Sequence, residues 1–144
     1  MDTIVVDTSV IVKWFVTSGE LQFERARRLL ASHQQDRTRL HAPALALYEL
    51  GNALWRYSAT LPLGEQIRHL TDVHSMGLSL HPLTLAKALV ALELAHAFQV
   101  SFYDACFVGL AQELGAPLVT ADERLCRQTQ ALPFIQPLAS FDIP

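Results

Sequence analysis

Residues 101–125 read SFYDACFVGLAQELGAPLVTADERL. Asp104 stands at the opening of an apolar helix, Gly115-Ala116-Pro117 breaks it, and Leu118-Val119-Thr120 is a short strand. Asp122 follows where the next helix begins. A helix, a tight break and a β-rich run in this order signal an α/β layer structure, and strand ends in such sheets are where ligands collect. Two further acids suit the same place. Asp7 ends the apolar strand Thr3-Ile4-Val5-Val6, and Glu49 lies inside an almost wholly apolar helical stretch. The chain reads as a scaffold that brings Asp7, Glu49, Asp104 and Asp122 together.

Working outward from this stretch, the rest of the chain alternates strands and helices. Asp7-Thr8-Ser9 turns the first strand into a helix over residues 10–16, and Thr17-x-x-Glu20 has the form of a capping box for a second helix. In that helix Leu21, Ala26, Leu29, Leu30 and His33 recur at helical spacing, and the polar run 32–39 ends it. Leu40-His41-Ala42 reads as a short strand. Pro43 suits a first helical turn, and the helix it opens runs to about Tyr57. The apolar residues of that helix cover most of its circumference, so deep packing is expected, with Trp55 in the core as Trp14 is. Pro62 and Gly64 start the next helix, with Ile67, Leu70 and Val73 inward. Leu78-Ser79-Leu80 reads as a strand. Leu85, Ala88, Leu89, Leu92 and Ala95 make an amphipathic helix with Lys87 and Glu93 outside. A helix from Glu123 to about Gln130 and a strand at Phe134-Ile135 close the series. Such alternation implies parallel strands with right-handed crossovers and an α/β/α sandwich of layers.

At 144 residues, about half of them hydrophobic, the expectation is one domain over 1–144. No apolar run approaches the length of a membrane span. The residues before Asp7 show neither a basic n-region nor a cleavage pattern, so no signal peptide is expected. Cys106 and Cys126 have no metal-like spacing and predict a reducing, cytoplasmic setting. The net charge of −3 does not by itself suggest nucleic acid. The basic residues are uneven, however: Arg25, Arg27, Arg28, Arg37 and Arg39 cluster with only Asp36 among them. That cluster is either a solvated face or a patch that tracks phosphates.

Each aspartate has an ordinary structural role open to it. Asp7 can cap the helix after it. Ser101-x-x-Asp104 and Thr120-x-x-Glu123 are loose capping boxes, which leaves Asp122 as a favourable charge in a first turn. Glu49 is different, because it sits mid-helix between Tyr48 and Leu50. A carboxylate buried there without a partner costs several kcal/mol, and Lys13 and Arg56 are the cations nearest in character to rescue it. A shared cation site explains Glu49 and the strand-end aspartates together. Two carboxylates 4 Å apart repel by about 4 kcal/mol at an effective dielectric near 20, so converging acids bind either protons or a divalent ion. Oxygen ligands without Cys or His select Mg²⁺ or Mn²⁺, and the chemistry implied is phosphodiester hydrolysis.

Other phosphate and metal chemistries lack their residues. There is no G-x-G-x-x-G, G-x-x-x-x-G-K-[ST] or H-E-x-x-H. An aspartyl-phosphate hydrolase of the haloacid dehalogenase type wants an Asp two residues after the first, where this chain has Ser9. The six histidines show no paired ligand spacing, and Cys106 has no nearby His in sequence.

Four segments carry a resemblance: Ile4-Val5-Val6-Asp7-Thr8-Ser9, Tyr48-Glu49, Tyr103-Asp104-Ala105 and Leu118-Val119-Thr120-Ala121-Asp122. In this order the chain resembles a PIN-domain nuclease and, in length, the toxin of a VapBC-type toxin–antitoxin pair. The resemblance implies a PIN-like fold with a parallel sheet of about five strands, and RNA as substrate. It implies that Asp7, Glu49, Asp104 and Asp122 bind Mg²⁺ or Mn²⁺ and do the chemistry, with Ser9 and Thr120 as supporting hydroxyls. It further implies a small antitoxin encoded upstream and a homodimer. On this reading Arg25 and Arg28, sharing a helix face, are candidates to hold the RNA. The alternatives are an inactive PIN-like module that binds RNA or protein, and a processing or DNA-directed nuclease with no antitoxin.

Overall fold

Ile4, Val5 and Val6 are fully buried, as a strand paired on both sides and covered on both faces must be. The structure, a computed structural model, describes residues 1–17 and 21–144. In chain order the elements are β1 (Asp2–Val6), α1 (Thr8–Ile11) with a 3-10 turn over Val12–Trp14, α2 (Phe23–Gln34), β2 (Thr38–Pro43), α3 (Leu45–Arg56) and α4 (Leu63–Ser75). They continue with β3 (Ser79–His81), α5 (Leu85–Phe98), α6 (Phe102–Leu114), β4 (Leu118–Thr120), α7 (Glu123–Gln128) and β5 (Ile135–Pro137). The five strands form one sheet, every pair parallel, in the order β3-β2-β1-β4-β5.

The chain builds outward from β1 to β2 and β3, then crosses over to place β4 and β5 on the other side of β1. Right-handed crossovers put the helices of the first half on one face of the sheet and those of the second half on the other. In agreement, α2 packs on β2, α6 lies across β1, β2 and β4, and α5 packs on α6. The reversal between β1 and β4 is a topological switch point. Loops leaving the two strand ends diverge there and open a crevice. Gly115, in the left-handed region at φ 60°, ends α6 and lets the chain turn directly into β4.

Several sequence expectations meet corrections. Pro43 closes β2 instead of opening a helix: its position pairs with His81, and the next amide, Ala44, donates to the His81 carbonyl at 2.8 Å. The ring suits an extended strand end as well as a first helical turn. The helix expected over 10–16 begins at Thr8 and tightens into the 3-10 turn. Of the Thr17–Glu20 capping box, residues 18–20 lie outside the described residues; α2 starts at Phe23 and Leu21 is exposed. α3 is not packed all round. Ala46, Leu50 and Leu54 are buried on one stripe, while Tyr48 is 78% and Trp55 67% exposed. Trp14 does lie in the core, its indole donating to the Ala26 carbonyl at 2.9 Å. Ile67 is exposed on α4, where Val73 is buried. α5 buries only Ala91, and Leu85, Leu89 and Leu92 face outward. No single helix among the described residues is long and apolar enough to cross a membrane.

Candidate active site

The residue after β1 is Asp7, whose amide donates to the Val119 carbonyl at 3.0 Å and so ties the end of β1 to β4. Asp7 occupies the capping position of α1, yet its carboxylate makes no capping bond. Oδ2 instead accepts the Ser9 hydroxyl at 2.6 Å and the Thr120 hydroxyl at 2.8 Å. Those hydroxyls are themselves held: Ser9 Oγ accepts the Ala121 amide, and Thr120 Oγ1 accepts the Asp122 amide, each at 3.0 Å. The side chain is thus buried and clamped across two strand ends, not committed to a helix. Burial pushes the Asp7 carboxyl above its ordinary value, the two hydroxyls pull it down, and Asp122 pushes it up again.

Glu49 reaches the same crevice from the middle of α3. Thr8, on the first turn of α1, donates its hydroxyl to Oε1 at 2.9 Å. Burial raises the Glu49 carboxyl, the Thr8 bond lowers it, and Asp7 and Asp104 raise it further. The charges acting on it are therefore acidic, and neither Lys13 nor Arg56, the alternative weighed for a buried glutamate, is among them.

Asp104 lies in the first turn of α6, where the cap is Ser101, whose hydroxyl accepts the Asp104 amide at 3.0 Å. The capping expectation holds for Ser101, and the Asp104 carboxyl faces other acids. It is raised first by burial, then by Asp7 and Asp122, against the lowering effects of Ser101 and Arg124. Asp122 does cap: Oδ1 accepts the Leu125 amide at the start of α7 at 3.1 Å. Thr120 does not cap α7; its hydroxyl donates to Asp7 and accepts the Asp122 amide. Glu123 is exposed.

The structure therefore brings all four sequence-predicted acids into mutual electrostatic contact at the switch point, with Ser9 and Thr120 binding one of them. Among the described residues, no three acidic, His or Cys side chains stand where they would enclose a metal ion as they lie. Repulsion between facing carboxylates opposes their final approach. The donor set itself, all oxygen and supported by hydroxyls, fits a hard divalent cation.

Of the arginine pair, Arg25 reaches the segment after β5, where the Leu138 amide donates to the Thr120 carbonyl at 2.7 Å. Arg25 is half-buried and donates through Nε to the Leu138 carbonyl at 2.7 Å and through its terminal nitrogen to the Phe141 carbonyl. It clips the C-terminal segment to α2, a use that surface periodicity does not reveal. Arg28 is exposed on the same helix. Arg37 and Arg39 lie at the start of β2, level with Asp2 and Thr3. At 3.3 Å per residue that edge is about 16 Å from Asp7, so Arg37 and Arg39 stand apart from the acids. Three features escaped the sequence reading: the Thr8–Glu49 bond, a pocket holding Lys13 and Arg56, and the contact of His41 Nδ1 with His81 Nε2 at 2.9 Å. Consecutive hydroxyls after Asp7 signalled the first, whereas the other two depend on how elements pack.

Beside the acids runs a groove of about 740 Å³ lined by Leu45, Tyr48, Leu83, Val90, Tyr103 and Cys106 among others. Tyr48 and Tyr103 directly precede Glu49 and Asp104, so its rim adjoins the carboxylates. Cys106 is half-buried, and burial with Glu49 nearby pushes its thiol up.

Residues 4–130 match the model of the PIN domain family. The chain is similar to Ribonuclease VapC3 of Pyrobaculum aerophilum, with 33% identity over 134 residues, 90% of this chain and 96% of that protein. Among solved structures it resembles PAE2754 from Pyrobaculum aerophilum, with a TM-score of 0.71, 22% identity, and coverage of 96% of this chain and 85% of that one. It also resembles a chain of a toxin-antitoxin complex from Klebsiella pneumoniae, with a TM-score of 0.68, 14% identity, and coverage of 94% and 97%.

Proposed function

The chain belongs to the PIN-domain family, and from that premise we propose that it is a metal-dependent endoribonuclease, the toxin of a type II toxin–antitoxin pair. The observation that carries this reading is Asp7. A buried carboxylate in a capping position declines the cap and is gripped by hydroxyls from two strand ends, facing three more acids. The relative named a ribonuclease supports RNA as the substrate class, and the complex from Klebsiella pneumoniae supports an antitoxin partner.

Asp7, Glu49, Asp104 and Asp122 would hold Mg²⁺ or Mn²⁺, which when bound activates a water and neutralises charge on a phosphoryl group. Ser9 and Thr120 hold the Asp7 carboxylate at the strand ends, and Thr8 holds that of Glu49. Burial raises the Asp7, Glu49 and Asp104 carboxyls above their ordinary values, so the affinity for metal falls as pH falls. The single domain 1–144 carries the activity in the cytoplasm. Arg28 is a candidate contact for RNA, whereas Arg25 serves the fold. The exposed leucines of α5 suit a homodimer contact, and the apolar groove beside Tyr48 and Tyr103 suits an antitoxin tail whose Arg or Lys enters the acid cluster.

Purified protein should cut RNA with Mg²⁺ or Mn²⁺ and stop on addition of chelator, and Asp7→Asn should be inactive while folded. Cleavage that persists in chelator, or at the same rate in folded Asp7→Asn, rejects the assignment. Co-expression with the small upstream open reading frame should yield a silent complex.

A further inference from the structure

On the far side of Ser9 lies a second cavity, of about 380 Å³. Its walls include Ser9 and Ala121 toward the acids, and Lys13, Arg56, Ala53 and Tyr57 away from them. Ser9 thus belongs to both places: its hydroxyl donates to Asp7 and accepts the Ala121 amide, and its residue lines the new cavity. Helix geometry explains the arrangement. Glu49, Ala53 and Arg56 are spaced i, i+4 and i+7, so they share one face of α3. Arg56 therefore sits about 10 Å farther along the axis than Glu49. Lys13, buried in the 3-10 turn, follows Ser9 by four residues. Lys13 and Arg56 accordingly stand on the same elements as Ser9 and Glu49, beside the acids.

We propose that this pocket is a phosphate-binding subsite, in which Lys13 and Arg56 seat a backbone phosphodiester of the RNA next to the one that is cleaved. The proposal rests on the nuclease reading and adds where the strand is held. Four clustered carboxylates repel a polyanion, and a strand crossing them needs a compensating cation within reach. A guanidinium offers a fork of donors to phosphate oxygens, and an ammonium offers a point charge. The arginines at the start of β2, on the opposite edge of the sheet, cannot do this for the same stretch of strand.

The test uses Asp104→Asn protein, which should hold RNA without cutting it, and a short fluorescein-labelled single-stranded RNA titrated over a salt series. Adding Arg56→Met should weaken binding and flatten the slope of log affinity against log salt by about 0.7, the loss of one phosphate contact on a single strand. Lys13→Met should do the same. If that buried change unfolds the protein, the exposed Arg56 carries the reading alone. A Lys13 with only a structural part would lower the melting temperature without moving the slope. Arg39→Met, on the other sheet edge, should leave the slope where it was. RNA bound by Arg56→Met with unchanged affinity and slope overturns the subsite and leaves the nuclease reading intact. Should wild type neither bind nor cut RNA, the nuclease reading fails, and inorganic phosphate becomes the probe. Phosphate shifts of the Ser9 and Ala121 amide resonances that vanish in Arg56→Met would then keep the pocket, and their absence would overturn it too.

Discussion

Toward the C-terminal edge of the sheet, β1 and β4 lead into carboxylates while β2 and β3 carry imidazoles. At the first place Asp7, Glu49 and Asp104 are all raised above their ordinary values, by burial foremost and then by neighbouring acids, Asp122 among them. At the second, the rings of His41 and His81 stack with centroids 5.1 Å apart and a 2.9 Å contact between nitrogens. Burial lowers both histidines first; His81 and Arg39 then act on His41, and Lys87 acts on His81 against Glu113. Both clusters disfavour charge, but they resolve it differently. The histidine pair is complete in itself, because one neutral ring donates N–H to the other, and only a second proton breaks that bond. The carboxylates have no such internal solution. Hydroxyls donate to Asp7 and Glu49, yet each of the three carboxyls is still raised by a neighbouring acid, which is the arrangement the proposed cation site calls for.

The sharpest way to break this comparison is activity. Asp104→Asn should lose RNA cleavage by about a hundredfold or more, since metal-assisted charge stabilisation is worth several kcal/mol. His41→Asn should stay within about twofold of wild type, because removing a self-contained pair takes no transition-state stabilisation with it. Equal losses in the two variants, measured as kcat on one RNA, would erase the distinction.

Stability gives a smaller effect with a diagnostic sign. In chelator at neutral pH, Asp104→Asn should melt higher than wild type, by on the order of 1 kcal/mol or about 3 °C, because one of several like charges is gone. Saturating Mg²⁺ should reverse the order, since wild type then gains more from binding. Asp122→Asn should follow the same pattern, as Asn keeps the acceptor that caps α7. His41→Asn should show the same difference from wild type with and without Mg²⁺. If Asp104→Asn melts lower in chelator, its carboxylate serves the fold and not a cation.

The smallest effect lies in the pH dependence of the metal-free protein. The three acids have folded values raised above their ordinary 3.8 and 4.5, so the stability they contribute is complete below those values and is lost as pH rises through the raised ones. The histidines have folded values lowered below 6.5, so their contribution is present above 6.5 and is lost as pH falls through the lowered ones. On acidification from neutrality, the melting advantage of Asp104→Asn over wild type should therefore shrink, and that of His41→Asn should grow. Parallel curves for the two variants would show that the clusters are not opposed.

The acids were legible because their chemistry is local. Asp7 at the end of an apolar run, Asp122 just past another and Glu49 stranded in a helix are statements about neighbours in the chain, as are the hydroxyls of Ser9 and Thr120. The parallel sheet followed for the same reason, since strands separated by helices can join only by crossovers. Choices between partners were not legible. Pro43 fits a helix start and a strand end equally by its ring geometry, and the pairing with His81 decided between them. Trp55 and the leucines of α5 have the composition of a core, but hydrophobicity states only a preference for burial, and these side chains stand exposed. Arg25 looked like a surface cation until the Leu138 and Phe141 carbonyls claimed it. Residue type and short-range periodicity single out the groups proposed for the chemistry and the kind of element on which each sits. Which groups face one another was settled only by the tertiary structure, because burial, charge coupling and hydrogen-bond partners are set across sequence separations such as the 113 positions from Asp7 to Thr120.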